Sequence, residues 1–170
     1  IEWMMKSYQR AYGLDFVAFR YFNACGADSQ RRHGQKSGAT HIIARVLESI
    51  RDDREFVLNG DDYPTTDGTC VRDYIHVEDI ADAHIMAVDR RMASDVFNLG
   101  TKSGISNREI VAAAEKITGK KLKICVGPRR EGDPAMLTAS ADRWNKISGW
   151  NPRFGLEDII EHAWKWYVRN

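Results

Sequence analysis

Apolar residues recur along this chain with two different spacings, which divide it into helical and extended segments. In some segments they lie three to four positions apart, a spacing that predicts amphipathic helices. These segments are residues 1–12, 42–50, 80–88, 110–117 and 156–167. In others they are dense and rich in β-branched or aromatic side chains, which predicts buried strands. The strand segments are residues 16–22, 56–58, 96–99 and 122–126.

The order of these segments predicts the fold class. Helices and strands alternate, which is typical of an α/β protein. The strands after the first are short, and they do not by themselves make a complete doubly wound sheet. A chain of 170 residues is long enough for one domain with its own core. Four tryptophans are expected to pack in that core: Trp144, Trp150, Trp164 and Trp166.

Signals at the helix ends sharpen these boundaries. Ser106 and Glu109 form the S-x-x-E pattern of a capping box, and Gly119 is placed to end the same helix. The first helix, in contrast, begins at Ile1 with no capping residue ahead of it and without an initiator methionine. We therefore expect the sequence to begin inside a helix of a longer protein.

Two polar segments are candidates for function. Residues 23–38 contain three glycines and predict a long loop, and a loop of that length in a compact domain usually carries function or is disordered. Residues 71–76 alternate in character, so an extended strand places Arg72, Tyr74 and His76 on one face.

Composition and charge exclude several classes of protein. The net charge is +1 and the charges are interspersed, which does not favour binding to nucleic acid or to an acidic membrane surface. No apolar run approaches the length of a bilayer span. The cysteines match neither a disulfide framework nor a zinc spacing. We expect Cys25, Cys70 and Cys125 to be reduced thiols in a cytoplasmic protein.

The sequence contains no self-contained catalytic motif. It has no G-x-G-x-x-G, P-loop, G-x-S-x-G or H-E-x-x-H pattern, and no tyrosine is followed four residues later by lysine. The five histidines are scattered, and we expect them to cap helices or lie at the surface and not to bind a metal. The sequence therefore predicts no catalytic residue and no metal site within these residues.

Side chains suited to an anion lie at the ends of predicted elements. Arg72 shares a strand face with Tyr74, and Arg130 precedes Asp133 in a turn flanked by glycine and proline. A guanidinium suits phosphate, a carboxylate accepts from vicinal hydroxyls, and an aromatic ring packs on a base or sugar. These residues would suit a nucleoside diphosphate. The alternative is that Arg72–Asp73 and Arg130–Asp133 are surface ion pairs of little consequence.

Several longer blocks carry a resemblance to a known family. They are R-Y-F-N at residues 20–23 with Gly26 following, D-Y-P-T-x-D-G-T-x-V-R-D-Y-I-H-V at 62–77 with D-I-A-D-A-H at 79–84, N-L-G at 98–100, and R-R-E-G-D-P-A at 129–135. In this order they resemble UDP-glucose 4-epimerases, which belong to the extended short-chain dehydrogenase/reductases. The resemblance covers essentially the whole chain, and the D-Y-P-T block is highly specific.

The resemblance implies a fold and a division of labour. The chain would be the C-terminal portion of an extended short-chain dehydrogenase/reductase fold, with the last Rossmann strands and a small mixed α/β substrate-binding domain. Residues 1–170 would form the UDP-sugar-binding half, with residues 1–24 and about 95–101 contributing to an incomplete Rossmann sheet. The N-terminal NAD-binding domain and the catalytic Tyr-x-x-x-Lys pair would lie upstream.

The resemblance also implies an activity and partners. These epimerases invert C4 of UDP-glucose and UDP-galactose reversibly, through a 4-keto intermediate and with NAD as cofactor, in galactose metabolism. We expect the present chain to bind UDP-sugar without catalysing this reaction. Alternatives are a non-catalytic nucleotide-sugar-binding fragment and a pentose-type UDP-sugar 4-epimerase. Exposed strand edges and apolar faces also predict a homodimer or other self-association.

Individual site residues follow from the same resemblance. Asn23, Arg72 and Arg130 are expected at the diphosphate, and Asp133 at the ribose hydroxyls. The other expected contacts are Tyr74 in the same pocket, Thr40 and His41 on UDP, Val57 and Asn59 near uracil, Phe22 beside the sugar, and Tyr21 near the nicotinamide of NAD. Leu137 lies where relatives vary between a bulky tyrosine and smaller residues. A smaller residue there leaves room for the N-acetyl group of UDP-N-acetylhexosamines.

Overall fold

The computed structural model describes residues 1–169 and confirms an α/β fold. The helices are α1 (Glu2–Tyr12), α2 (Ile42–Arg51), α3 (Val77–Asp89), α4 (Asn107–Thr118), α5 (Asp142–Ser148) and α6 (Leu156–Tyr167). The strands are β1 (Val17–Tyr21), β2 (Asn23–Cys25), β3 (Phe56–Asn59), β4 (Val71–His76), β5 (Asp95–Leu99), β6 (Gly104–Ser106), β7 (Ile124–Gly127) and β8 (Met136–Leu137). Each predicted helix and strand has a counterpart, whereas β2, β6, β8 and α5 are additional.

The strands form three small sheets. β1 pairs with β5 in parallel, and β3 pairs with β7 in parallel. The third sheet is mixed, because β4 pairs in parallel with β2 and β8 and antiparallel with β6. β4 is therefore the strand around which the third sheet is built.

Two clusters of buried side chains hold these layers together. The larger lies between α2, α4 and α6 and includes Leu47, Ile110 and Ile160. The smaller includes Leu99 of β5 and the rings of Trp144 and Trp150. Trp164 and Trp166 pack against the larger cluster, so the predicted packing role of all four tryptophans is confirmed.

The helix-end signals are confirmed. Ser106 and Glu109 form a reciprocal capping box at the start of α4, and Gly119 ends that helix in a left-handed conformation. At α1, the residue before the helix is Ile1, which makes no side-chain capping bond. Among the described residues α1 buries none of its own side chains, and Trp3 and Tyr12 are exposed.

Two predictions about the segment from residue 16 to residue 38 are wrong. The expected long loop begins with a strand, because Asn23 and Cys25 are in register with Tyr74 and His76 of β4. The expected buried strand over residues 16–22 is shorter and only half-buried, with Tyr21 49% exposed. Within the described residues β1 has a single neighbour, β5, and so its other edge is not covered.

His76 was expected to cap a helix or to lie at the surface. It does cap α3, since its Nδ1 accepts the Glu78 N–H at 3.0 Å, but the side chain is fully buried. Gly26 makes room for the ring: a Cβ at that position would lie 2.7 Å from His76 Cδ2. The surface alternative is therefore wrong for this histidine.

Candidate nucleotide-sugar site

A cavity of about 300 Å³ lies between β2, β3, β4 and the N-terminus of α2. We call it the β4 cavity. Its volume lies at the lower end of the range for small-molecule sites. Nine of the predicted site residues line it: Asn23, Thr40, His41, Val57, Asn59, Arg72, Tyr74, Arg130 and Asp133. The structure thus brings together residues that are up to 110 positions apart in the sequence, from Asn23 to Asp133.

Strand alternation on β4 decides which of its side chains reach the cavity. Arg72 and Tyr74 line it, whereas Asp73 between them does not. The Arg72 guanidinium donates to the Val71 carbonyl at 2.9 Å and lies 3.6 Å from the Asp133 carboxylate. The alternative of an Arg72–Asp73 surface ion pair is therefore wrong, because Arg72 is paired across the cavity and is largely buried.

The other ion pair of that alternative, Arg130–Asp133, is also absent from residues 1–169. Arg130 and Asp133 are joined only through the backbone, where the Asp133 N–H donates to the Arg130 carbonyl at 3.3 Å. Asp133 contacts Arg72, and no carboxylate of residues 1–169 lies within ion-pair distance of the Arg130 guanidinium. Arg130 therefore presents an uncompensated positive charge to the cavity.

The N-terminus of α2 adds to this positive character. Thr40, His41 and Ile42 line the cavity, and α2 begins after His41 without a side-chain cap. The first N–H groups of a helix have no acceptor within the helix and carry partial positive charge, which favours an anion. Burial lowers the pKa of His41, so its ring is neutral at pH 7.

Two further cavity residues act through hydrogen bonds and shape. Asn23 donates from its side-chain amide to the Asp73 carbonyl at 2.8 Å, which leaves its amide oxygen for another partner. Tyr74 is buried, and burial raises the pKa of its phenol above the usual value. The phenol therefore stays protonated at neutral pH and suits packing and hydrogen bonding.

Sequence reasoning missed Arg45 and Asn107, which also line the cavity. The Arg45 guanidinium lies over the Phe56 ring, 5.3 Å from its centroid, and has no ion-pair partner in the described part of the chain. One signal was available: Arg45 is the only charged residue in the first turn of α2. Asn107 donates to the Cys70 sulfur at 3.2 Å, a contact with no sequence signal.

The charges of the cavity are unequal. Three guanidinium groups line it, from Arg45, Arg72 and Arg130, against one carboxylate, from Asp133. Guanidinium groups bind phosphate oxygens through two parallel hydrogen bonds, and the excess of positive charge suits a group with two negative phosphates. A single carboxylate beside them can accept from hydroxyl groups.

Comparison with known proteins identifies the family. Residues 1–100 match the family described as "NAD dependent epimerase/dehydratase family". The chain belongs to the NAD-dependent epimerase/dehydratase family. It is 44% identical over 173 residues to the UDP-glucose 4-epimerase of Halalkalibacterium halodurans, which covers 98% of this chain and 52% of that relative. The chain therefore spans about half the length of the curated relatives it matches.

Solved structures of epimerases share the fold. A UDP-glucose 4-epimerase from Stenotrophomonas maltophila, with bound NAD and formylated UDP-arabinopyranose, matches with a TM-score of 0.91 and 34% identity. That match covers 99% of this chain and 52% of the other. The UDP-Glc/GlcNAc 4-epimerase of Campylobacter jejuni matches with a TM-score of 0.83 and 35% identity, over 99% and 53% of the two chains. The fold of this family member is that of the C-terminal portion of an extended short-chain dehydrogenase/reductase.

Three predicted residues of this epimerase-family chain lie outside the β4 cavity. Phe22 is half-buried between β1 and β2, and Tyr21 is exposed at the end of β1. Leu137 is 46% exposed and in register with Arg72, so it lies beside the cavity on β8. Their roles at sugar and nicotinamide stay predictions.

NAD is the cofactor of the family, and Tyr21 is the residue of this chain that is predicted to contact it. Tyr21 is in register with Leu99 at the carboxyl ends of the parallel pair β1 and β5, followed by Gly100. Ligands of α/β proteins bind at such carboxyl ends. The exposed Tyr21 ring fits a flat apolar group there, but the sequence has no glycine-rich phosphate loop. The position of Tyr21 is compatible with the predicted contact to NAD, which stays a prediction.

Neither a metal site nor a membrane-spanning helix is present among residues 1–169. No group of three or more histidine, cysteine, aspartate or glutamate side chains among residues 1–169 is arranged to hold a metal ion. Within the same residues, no helix has the length and apolar character needed to cross a membrane.

Proposed function

We propose that this chain is the UDP-sugar-binding half of a UDP-glucose 4-epimerase. The observation that supports the proposal is the β4 cavity, in which Arg45, Arg72 and Arg130 face one carboxylate, Asp133. This arrangement suits a diphosphate with a vicinal diol beside it. The relatives to which the chain is similar are named UDP-glucose 4-epimerases, and by that name their substrate is a UDP-sugar.

Each residue has a task in this proposal. Arg72, Arg130 and the N-terminus of α2 bind the diphosphate, and the second N–H of the Asn23 side-chain amide donates beside them. Asp133 accepts from the ribose hydroxyls, and its 3.6 Å separation from Arg72 is loose enough for a hydroxyl to take part. Val57 and Asn59 of β3 border the uracil, with Thr40, His41 and Tyr74 completing the wall.

The reacting end of the substrate lies beyond the cavity. Phe22 and Leu137 border the sugar, and Tyr21 contacts the nicotinamide. NAD, when bound, supplies the hydride acceptor for oxidation at C4. The residues of the β4 cavity hold the UDP firmly and leave the sugar less tightly bound. A 4-keto intermediate needs this freedom in order to present its opposite face.

We further propose that these 170 residues alone bind UDP-sugar without turning it over, because no Tyr-x-x-x-Lys pair occurs in them. The test has two parts. The purified chain is titrated with UDP by calorimetry, and UDP-galactose turnover is assayed with added NAD. Saturable UDP binding without turnover supports both parts of the proposal. Turnover by this chain alone contradicts the second part, and a folded chain that does not bind UDP contradicts the first.

Leu137 bears on the choice of sugar. It is half-exposed and in register with Arg72, and it is smaller than the tyrosine expected at this position in some relatives. We propose that the complete enzyme accepts UDP-N-acetylhexosamines as well as UDP-glucose, as the name of the Campylobacter jejuni enzyme says of that protein. An enzyme that turns over UDP-glucose but not UDP-N-acetylglucosamine would contradict this proposal.

A second candidate is a pentose-type UDP-sugar 4-epimerase. It is favoured by one observation, the formylated UDP-arabinopyranose bound to the Stenotrophomonas maltophila enzyme. Hexoses and pentoses differ only beyond C5, far from the UDP contacts. The ratio of kcat/KM for UDP-galactose to that for UDP-arabinopyranose, measured on the complete enzyme, distinguishes the two candidates.

Location and assembly complete the proposal. Cys25, Cys70 and Cys125 are all free thiols, which supports a cytoplasmic enzyme of galactose metabolism. The exposed apolar side chains of α1, including Trp3 and Tyr12, support self-association of the 170-residue chain. Sedimentation velocity over a range of concentrations tests the second point, and a monomer at every concentration contradicts it.

A further inference from the structure

The Asp73 side chain is fully buried and accepts hydrogen bonds from two distant segments. Its Oδ1 accepts from the Thr101 N–H at 2.9 Å and from the Thr101 hydroxyl at 2.7 Å. Its Oδ2 accepts from the Lys102 and Ala139 N–H groups, each at 3.1 Å. No cation of residues 1–169 lies within ion-pair distance, so backbone and hydroxyl donors alone satisfy this carboxyl group.

Each of these donors belongs to a segment that leads to the site. Thr101 and Lys102 follow β5, which pairs with β1, and β1 leads directly into Asn23. Ala139 follows β8, which pairs with β4 at Arg72. The Lys102 N–H also donates to the Ala139 carbonyl at 3.1 Å, which joins the two segments to each other.

The Asp73 backbone holds a third part of the cavity. Its carbonyl accepts the Asn23 side-chain amide at 2.8 Å, and its neighbours Arg72 and Tyr74 line the cavity. The backbone at Gly100 packs tightly against the Asp73 carboxylate, because a Cβ at Gly100 would lie 2.9 Å from Asp73 Oδ2. One residue therefore ties β4 to β2, to the end of β5 and to the segment after β8.

We propose that Asp73 is a positioning residue for UDP recognition: by holding the ends of β5 and β8 against β4, it sets the separation between Arg72 and Asp133 and the orientation of Asn23. The inference rests on the proposed function of the β4 cavity. Asp133 lies three residues before β8, so a shift of β8 along β4 moves its carboxylate relative to Arg72.

Replacement by asparagine isolates this role. Asp73→Asn preserves size, but an amide nitrogen in place of Oδ2 cannot accept, so the Ala139 N–H loses its acceptor and the Lys102 N–H keeps only the Ala139 carbonyl. The unpartnered Ala139 N–H faces the donor amide of the substituted side chain, which loosens the segment after β8. Arg72 and Tyr74 themselves are unchanged in the variant.

Asp79 provides a matched control. It is also a buried carboxyl group that accepts from distant backbone donors, the Arg153 and Phe154 N–H groups at 3.0 and 3.2 Å, but it does not line the β4 cavity. Asp79→Asn therefore removes a comparable set of hydrogen bonds elsewhere, together with an ion pair to Arg153 at 3.6 Å. Comparison of the two variants separates loss of stability from loss of positioning.

The test measures UDP affinity by calorimetry and thermal unfolding for the wild-type chain and both variants. We expect both variants to unfold at lower temperature, but only Asp73→Asn to bind UDP about tenfold more weakly. Equal affinity in Asp73→Asn and wild type overturns the inference, as does an equal loss in Asp79→Asn. A folded wild-type chain that does not bind UDP contradicts the proposed function instead.

Hydrogen exchange on the wild-type chain gives a test that does not depend on a variant folding. Because coupling between two sites is reciprocal, UDP should slow exchange of the Thr101, Lys102 and Ala139 amides. The Arg153 and Phe154 amides, held by Asp79, should be unaffected. Unchanged exchange at the first group with UDP at saturation overturns the inference.

Discussion

The Nε2 atom of His76 lies 3.0 Å from the Nδ1 atom of His162. The other nitrogen of His76, Nδ1, accepts the Glu78 N–H and so carries no proton. The His76 proton must therefore be on Nε2, where it is donated to His162. This pair links the end of β4 and the start of α3 to α6, and it requires the His76 ring to be neutral.

Acidification should destabilise the protein through this pair. Burial and the neighbouring His162 lower the pKa of His76 from 6.5 to about 4, although the Glu78 and Asp158 carboxylates raise it in part. Arg153 also faces the ring and lowers its pKa. Between these two pH values the unfolded chain binds a proton that the folded chain does not. Stability is therefore complete above pH 6.5 and falls as the pH drops towards 4.

We expect the free energy of unfolding to fall by about 2 kcal/mol from this residue between pH 7 and pH 5. Urea unfolding at the two pH values measures it. His76→Asn keeps a side-chain acceptor for the Glu78 N–H and should lose most of this pH dependence. His33→Asn, at an exposed histidine, should keep it. Equal pH dependence in His76→Asn and wild type would falsify the assignment.

Gly26→Ala should destabilise the same region for a steric reason. Gly26 has a φ of 84°, and an added Cβ would lie 2.7 Å from the buried His76 ring. Gly132 has a φ of 78° but no atom within 4 Å of an added Cβ, so Gly132→Ala carries only the backbone cost. We expect losses of about 3 kcal/mol and about 1 kcal/mol in urea unfolding. Equal losses would show that the His76 contact is unimportant.

Regular elements could be predicted because their signals are local. Ile159, Ile160 and Ala163 recur at helical spacing on α6, and Ser106 with Glu109 marks the start of α4 within four residues. β8, in contrast, consists of two residues, Met136–Leu137, and no periodicity is visible over that length. It becomes a strand only because β4 lies beside it.

The candidate site could likewise be predicted only where its signals are local in the sequence. The alternation of side chains along β4 placed Arg72 and Tyr74 on one face of the strand. The hydrogen-bond partners of Asp73, in contrast, lie 28 or more residues away in the sequence. Nothing local indicates that a buried aspartate is satisfied by Thr101 and Ala139. Arg45 was missed because a single arginine in a helix is ordinarily a solvated residue.

Removal of Arg72 should weaken UDP binding most. Arg72→Gln removes a largely buried guanidinium from the cavity and leaves Asp133 without its partner. We expect an about 30-fold rise in the Kd for UDP, which corresponds to loss of hydrogen bonds to a charged group. Arg143→Gln, which removes an exposed ion pair with Asp95, is the matched control and should bind UDP normally. A Kd for UDP within twofold of wild type in Arg72→Gln would contradict the assignment of the β4 cavity as the UDP site.

Arg45 is predicted to act on the phosphates. Arg45→Gln should raise the Kd for UDP about fivefold, because the guanidinium has no carboxylate partner and is free to bind an anion. The affinity for uridine, which has no phosphate, should not change. If uridine and UDP lose affinity equally, Arg45 contributes to the shape of the cavity and not to anion recognition.

The most direct measurement is a calorimetric titration of the 170-residue chain with UDP. The charges of the β4 cavity, three guanidinium groups against one carboxylate, predict saturable binding with one UDP per chain. Binding should weaken with rising salt, since the contacts are electrostatic. A chain with a cooperative unfolding transition and no heat of UDP binding at any salt concentration would contradict the account.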